Sequence, residues 1–201
     1  MDWRILYNPL AVLGRGTGLA VAILVIVVLT AVAWWGGVHL DGALDLHLTV
    51  KPPSGPLIIG ESLIDWLSLG LLLFVASRIF GGNGGAGAFL AGVGLSRFPY
   101  ILAAIIGSKP VLGKAMQAAV SVGRETVTVR PQAFMTPGLI IGSLAMLGLI
   151  IWSIVILYLG YKEASRLQGG KTAASFVIGL IVAELVSKLL LVGLFHVGIG
   201  I

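Results

Sequence analysis

The sequence contains no cysteine. Disulfides, thiolate metal sites and thiol nucleophiles are excluded together. Charge is scarce as well. Only 10% of the 201 residues are Asp, Glu, Lys or Arg, against about 25% in an ordinary soluble domain. Catalytic signatures are missing: no HExxH, no Ser/His/Asp arrangement and no paired-carboxylate site stands out. GNGGAG (82–87) leads into an apolar run with no Lys-Ser/Thr behind it, so it is not a phosphate loop, and GRGTG (14–18) is no stronger. The expectation is a protein that is not an enzyme, with no cofactor and no metal.

What is abundant is apolar surface. Hydrophobic residues make up 58% of the chain, and the mean hydropathy is +1.06. A soluble protein cannot hide so much, whereas a chain in lipid need not, because the bilayer is itself apolar. The net charge is +5, with basic residues scattered in loops between apolar runs. Anionic lipid headgroups are the expected counter-charge, and no nucleic acid is expected.

Five stretches are long and apolar enough to span a bilayer, at about 17–38, 63–80, 86–107, 138–161 and 172–197. The first is too long for the apolar part of a cleaved signal peptide and has no clear cleavage site before Trp34 and Trp35, whose indoles suit the headgroup level. The breaks are chemically clear: GGNGG (81–85) makes a tight turn, and YKEASRLQGGK (161–171) is polar and closes on a Gly pair. The predicted fold is an all-α, polytopic five-helix membrane bundle, a single domain over 1–201.

Two connections are longer. LDLHLTVKPP (44–53) alternates apolar residues with the period of a strand, and RETVTVRP (124–131) is rich in β-branched residues. Both fall on the same side of the membrane. They are predicted to pair there into a small extracytoplasmic β-structure; two irregular loops are the alternative. Arg4 and Arg15 precede the first span, and Asp41 and Asp45 follow it, which predicts a cytoplasmic N-terminus.

Charges at membrane depth each need a reason, at about 2.5–3.5 kcal/mol apiece on insertion scales. Arg97 falls halfway along the third span, two residues before Pro99, which is predicted to kink that helix and free carbonyls upstream. Arg97 then serves either as kink stabiliser and internal ion-pair partner or as a ligand for an anion. Glu184 and Lys188 lie four apart on one face of the fifth span, either as a self-neutralised pair or as part of a polar cluster with Arg97 near the midplane. Those three together carry +1, which suits an anionic ligand. Glu61 and Asp65 are read first as acids stabilised by the N-terminal dipole of the second span, and Asp65 second as a buried partner of Arg97 or Lys188. His39, Asp41, Asp45 and His47 lie within nine positions, but a strand fixes no third metal ligand among them. Small-xxx-small spacings at Ala88–Gly92 and Gly138–Gly142 let helices approach closely and predict that the third and fourth helices are central in the bundle; self-association through the same faces is the alternative.

With these pieces in order, the chain resembles the Yip domain family, the Ypt/Rab-interacting membrane proteins, in its prokaryotic form. The resemblance rests on Asn8-Pro9 before the first span, ESLIDWLSLGLLL leading the second, IFGGNGG, SRFPYILAAIIG in the third, WSIVILYLGYKEASRL closing the fourth, and GGK before the fifth. Pro99 with Tyr100, and Trp152 with Gly160 and Lys162, are its most telling positions. It implies five membrane helices, a cytoplasmic N-terminus and a prokaryotic plasma membrane. Eukaryotic relatives bind prenylated Rab GTPases. This chain has about sixteen residues before its first span and lacks the Asp-Leu-Tyr-Gly-Pro type motif, so Rab binding is not carried over to it.

Two functions follow. One is a membrane scaffold or adaptor, partnered by lipids and by another protein or a second copy. It predicts a closed bundle in which Arg97, Glu184 and Lys188 pair with one another. The other is a transporter or channel for an ion, a proton or a small anion, using the same charges. A lipid-acting enzyme would need an acid-base pair near an interface, and Glu61 with Asp65 already has a simpler explanation.

Overall fold

The structure, a computed structural model, describes residues 2–40, 42, 47–48, 54–108, 120–122, 127–129 and 136–196. The chain opens with a 3-10 turn at Trp3–Leu6, whose cap is the Asp2 carboxylate accepting from Arg4 N–H at 3.0 Å. Hydrogen bonds from the Arg4 guanidinium, the closest at 2.8 Å, hold the Asp2 carboxyl below the usual carboxylate range. A short helix α1 (Pro9–Leu13) follows, capped by Asn8. Gly14 then turns the chain at φ +70° into α2 (Arg15–Gly36), the first span.

The second span is α3 (Gly55–Ile79). It starts eight residues before the expected boundary at Leu63. Pro56 sits in its first turn, where a missing N–H costs nothing. The turn through Glu61 and Ser62 stays helical because both polar side chains have partners inside the protein. The third span is broken in two, α4 (Ala86–Ser96) and α5 (Phe98–Gly107), and it is followed by α6 (Pro137–Ser165) and α7 (Gly170–His196). All five spans are long and apolar enough to cross a membrane.

The break at Arg97 has the predicted cause. Pro99 has no N–H to offer, and Tyr100 N–H bonds back only three residues, to the Arg97 carbonyl at 3.0 Å. That leaves the Ser96 carbonyl without a helical partner. Ser153 on α6 takes it with its hydroxyl at 2.5 Å. The freed carbonyl is thus satisfied by a serine from a neighbouring helix rather than by Arg97.

The broken span is the centre of the bundle, in contact with α2, α3 and α6, while α7 packs chiefly on α3. Of its most apolar stretch 67% is buried, against 17% for α6. The expectation that the third and fourth helices are both central is therefore corrected for the fourth, which is peripheral. Gly138 faces open space, whereas Gly160, near the other end of α6, rests on the Gly92 backbone. At the crossing of α4 and α2, a Cβ on Gly94 would stand 2.5 Å from that of Ala22. Glycine at these two contacts is what allows the backbones to approach.

The outer surface is apolar as well as the core. Leu189 is 71% exposed and Ile141 67%, while Glu61 is 0% and Arg97 4% exposed. Aliphatic side chains thus face outward, where lipid is the solvent.

The loop strands pair locally. β1 (Val38–His39) pairs antiparallel with β2 (His47–Leu48), with His39 opposite His47. β3 (Val120–Val122) pairs with β4 (Val127–Val129), with Ser121 opposite Thr128. The predicted strand character holds at 47–48 and 127–129, but the predicted pairing of the two loops with each other does not: among the described residues each strand pairs within its own loop, where closure is entropically cheaper. The rest of 44–53 and of 124–131 lies outside the described residues.

Candidate functional site

One face of α3 carries Glu61, Asp65 and Ser68, at helical spacings of four and three, and all three are buried. After the first span, His39, Leu40 and Gly42 lie against that face. Glu61 makes two of these contacts: its Oε1 is 2.5 Å from His39 Nδ1, and its Oε2 accepts from Leu40 N–H at 3.2 Å. Asp65, one helical turn further, accepts from Gly42 N–H. Alternate backbone donors of the loop thus meet carboxylates one turn apart on the helix. Two acids inside the bundle serve as fixed acceptors for backbone that enters it.

This corrects the dipole reading of Glu61 and Asp65. With α3 beginning at Gly55, they stand in its second and third turns, and the first turn contains no acid. The dipole's influence fades within one turn. Their partners are the loop and the cluster around it.

Gly42 is wedged between Asp65 and α7. A Cβ there would lie 2.6 Å from Glu184 Oε1 and 3.1 Å from Lys188 Cε, so only glycine fits without displacement. Glu184 and Lys188 form the predicted pair at 3.1 Å, with Lys188 half-exposed at the bundle surface.

Arg97 occupies the opposite wall. Its guanidinium carbon lies 4.9 Å from the centre of the Tyr100 ring, a cation–π contact, and its charge acts on Asp65. Arg97 Nη2 and Asp65 Oδ1 are both buried without a hydrogen-bond partner. They border a cavity of about 10 Å³ that Ile26, Leu29, Leu40 and Ser62 complete. That is close to the space one water needs.

The expected trio of Arg97, Glu184 and Lys188 is therefore divided. Glu184 and Lys188 pair on α7, and Arg97 faces Asp65, with Gly42 between the two groups. The net +1 of the trio disappears once Glu61 and Asp65 join it: with His39 neutral the five charges total −1, and with His39 protonated they balance.

Further residues complete the arrangement. His39 partners Glu61; Asp41 and Asp45 lie outside the described residues. The Thr30 hydroxyl meets that of Ser62 at 2.8 Å, and Trp66 donates to the Leu90 carbonyl at 2.9 Å. Trp152, singled out by the resemblance, donates from Nε1 to the Leu6 carbonyl at 2.6 Å and ties the N-terminal turn to α6. Tyr161 on α6 donates to Ser175 on α7 at 2.6 Å. A tryptophan or tyrosine in an apolar helix needs such a partner, and that need is the signal that points to them.

Comparison with known families gives a match to the Yip1 domain over residues 10–192. No curated protein and no solved structure matches the chain. The matched region takes in all five spans, the kink at Arg97 and Pro99, and the acids on α3. The chain belongs to the Yip1 domain family.

Proposed function

We propose that this chain is a membrane scaffold or adaptor, with no catalytic step, whose deep charges fasten its own loop and helices. The mutual pairing expected of a scaffold is met by Glu184 and Lys188 but not by Arg97; what carries the reading is how the other deep charges are used. Glu61 holds His39 and Leu40, Asp65 holds Gly42, and Glu184 holds Lys188. The cavity at the cluster is about 10 Å³, too small for a hydrated ion. A bundle with a largely apolar exterior offers a surface to lipid and to a protein partner, or to a second copy.

Reconstituted in liposomes, the protein is expected to leave proton, sodium and chloride leakage at the level of protein-free vesicles. Flux above that level that disappears in Asp65→Asn sinks the scaffold reading. It would favour the transporter reading instead, whose support is the unpartnered pair Asp65 Oδ1 and Arg97 Nη2.

The same proposal puts the N-terminus on the cytoplasmic side of a prokaryotic plasma membrane; the orientation is supported by Arg4 and Arg15 before the first span and Asp41 and Asp45 after it. The cysteine-free chain makes this simple to test. In intact cells, an impermeant maleimide is expected to label Ser54→Cys and to spare Gln168→Cys; the reverse pattern inverts the orientation.

A further inference from the structure

We propose that the N-terminal face of the bundle carries a binding site for a phosphate-bearing anionic lipid headgroup, formed by Arg15, Lys162 and Arg166. These residues border a pocket of about 420 Å³ where the start of α2 meets the end of α6, with Asn8, Glu163 and Gln168 completing its polar rim. That is the size range of a small-ligand site.

Four observations converge on this assignment. The first is uncompensated charge. The ion pairs among the described residues are Arg4–Asp2, His39–Glu61 and Lys188–Glu184, and none engages Arg15, Lys162 or Arg166. Glu163 is the one acid at the rim, so the pocket keeps a net +2.

The second is backbone strain at Arg166. It is the C-cap of α6 at φ 58°, and among the described residues it is the one non-glycine with positive φ. Glycine is the usual residue at such a position, because an L side chain there costs about 1 kcal/mol or more. The chain uses glycine at φ 61° three residues later, at Gly169. An arginine retained at 166 argues that its side chain is needed.

The third is depth. The start of α2 and the end of α6 are where those spans leave the bilayer, which is the level of lipid phosphates. A soluble phosphate ester has no reason to prefer this level; a phospholipid is already there.

The fourth is an apolar cavity of about 260 Å³ on the membrane side of the same elements, bordered by Val21, Val25, Leu13 and Ile156 among others. Val21 and Val25 lie about 9 and 15 Å along α2 from Arg15, and Ile156 about 9 Å along α6 from Lys162, at 1.5 Å of rise per residue. A cationic pocket at the rim and an apolar one deeper along the same two helices supply the two kinds of surface a phospholipid needs.

The test uses the full chain in nanodiscs of phosphatidylcholine, with and without added phosphatidylglycerol. Bound lipid is counted by native mass spectrometry after detergent release. Phosphatidylglycerol is expected to be retained in preference to phosphatidylcholine. Its retention should weaken about fivefold for each cation removed, in Arg15→Gln, Lys162→Gln and Arg166→Gly, taking about 1 kcal/mol per basic residue near anionic lipid. Glu163→Gln should strengthen it by a similar factor.

Arg166→Gly relieves the backbone strain, so it should melt no lower than the parent while losing lipid. That separates the site from folding. Equal retention of phosphatidylglycerol in all three cation variants overturns the proposal. So does displacement of the retained lipid by millimolar inorganic phosphate, which would make the pocket a free-phosphate site.

Discussion

Replacing Glu61 with alanine is expected to lower the unfolding free energy by roughly 3–5 kcal/mol and to release the chain at His39 and Leu40. Both carboxylate oxygens of Glu61 are engaged, one by His39 and one by Leu40 N–H, and the side chain is wholly buried. Hydrogen bonds to a charged group contribute about 1.5–3 kcal/mol each, and an orphaned buried donor adds its own desolvation cost. Alanine leaves two such donors unpartnered. Glu61→Gln keeps one carbonyl acceptor and should lose about half as much. Unfolding in mixed micelles by rising denaturing detergent measures the difference. A loss below about 1 kcal/mol for Glu61→Ala would mean that the loop is not held by this residue.

The second large effect concerns Arg97 and Asp65. Arg97→Leu should cost about 1–3 kcal/mol, because it removes the contact with Tyr100 and the one positive charge acting on Asp65 beside Glu61 and Glu184. Asp65→Asn retains an oxygen for Gly42 N–H while removing the charge. In the Arg97→Leu background, Asp65→Asn should therefore recover part of the loss. The coupling in the resulting double-mutant cycle should be about 1–3 kcal/mol, the range for groups in one electrostatic network. Simple additivity of the two changes would show that Arg97 and Asp65 do not act on one another, and the division of the charge cluster would then be wrong.

These effects depend on features that differed in how plainly the sequence displayed them. The spans were legible because twenty apolar residues in a row have few uses outside a bilayer. The kink at Arg97 was legible because proline acts locally, on carbonyls three and four residues away. The start of α3 was misjudged for a physical reason. Hydropathy falls across Gly55–Ser62, where a proline, two glycines and an acid stand, yet the helix continues because the acid is satisfied inside the protein. Ser54 followed by Pro56 was the available signal, since proline in the first turn marks a helix start.

Harder to read were contacts whose partners carry no side-chain signature. Leu40 and Gly42 meet the α3 acids through backbone N–H groups, which every residue but proline possesses. Nothing in their side chains announces the contact. The pairing of Glu184 with Lys188 was visible from its four-residue spacing. The position of Arg97 opposite Asp65 rather than Glu184 depends on how three helices and a loop pack, which periodicity along one helix does not encode. The peripheral place of α6 is similar. Gly138 and Gly142 have the spacing of a packing face, but the close approach is made at Gly160 against Gly92.

The central claim is that the buried acids hold the loop inside the bundle. The most direct measurement is the maleimide labelling rate of Leu40→Cys, placed in this otherwise cysteine-free chain, with the exposed Ser54→Cys as reference. Leu40 is 4% exposed, so labelling should be far slower than at position 54 and should accelerate toward the reference rate when Glu61→Ala is added. Labelling of Leu40→Cys as fast as Ser54→Cys in the chain that retains Glu61 would contradict the account.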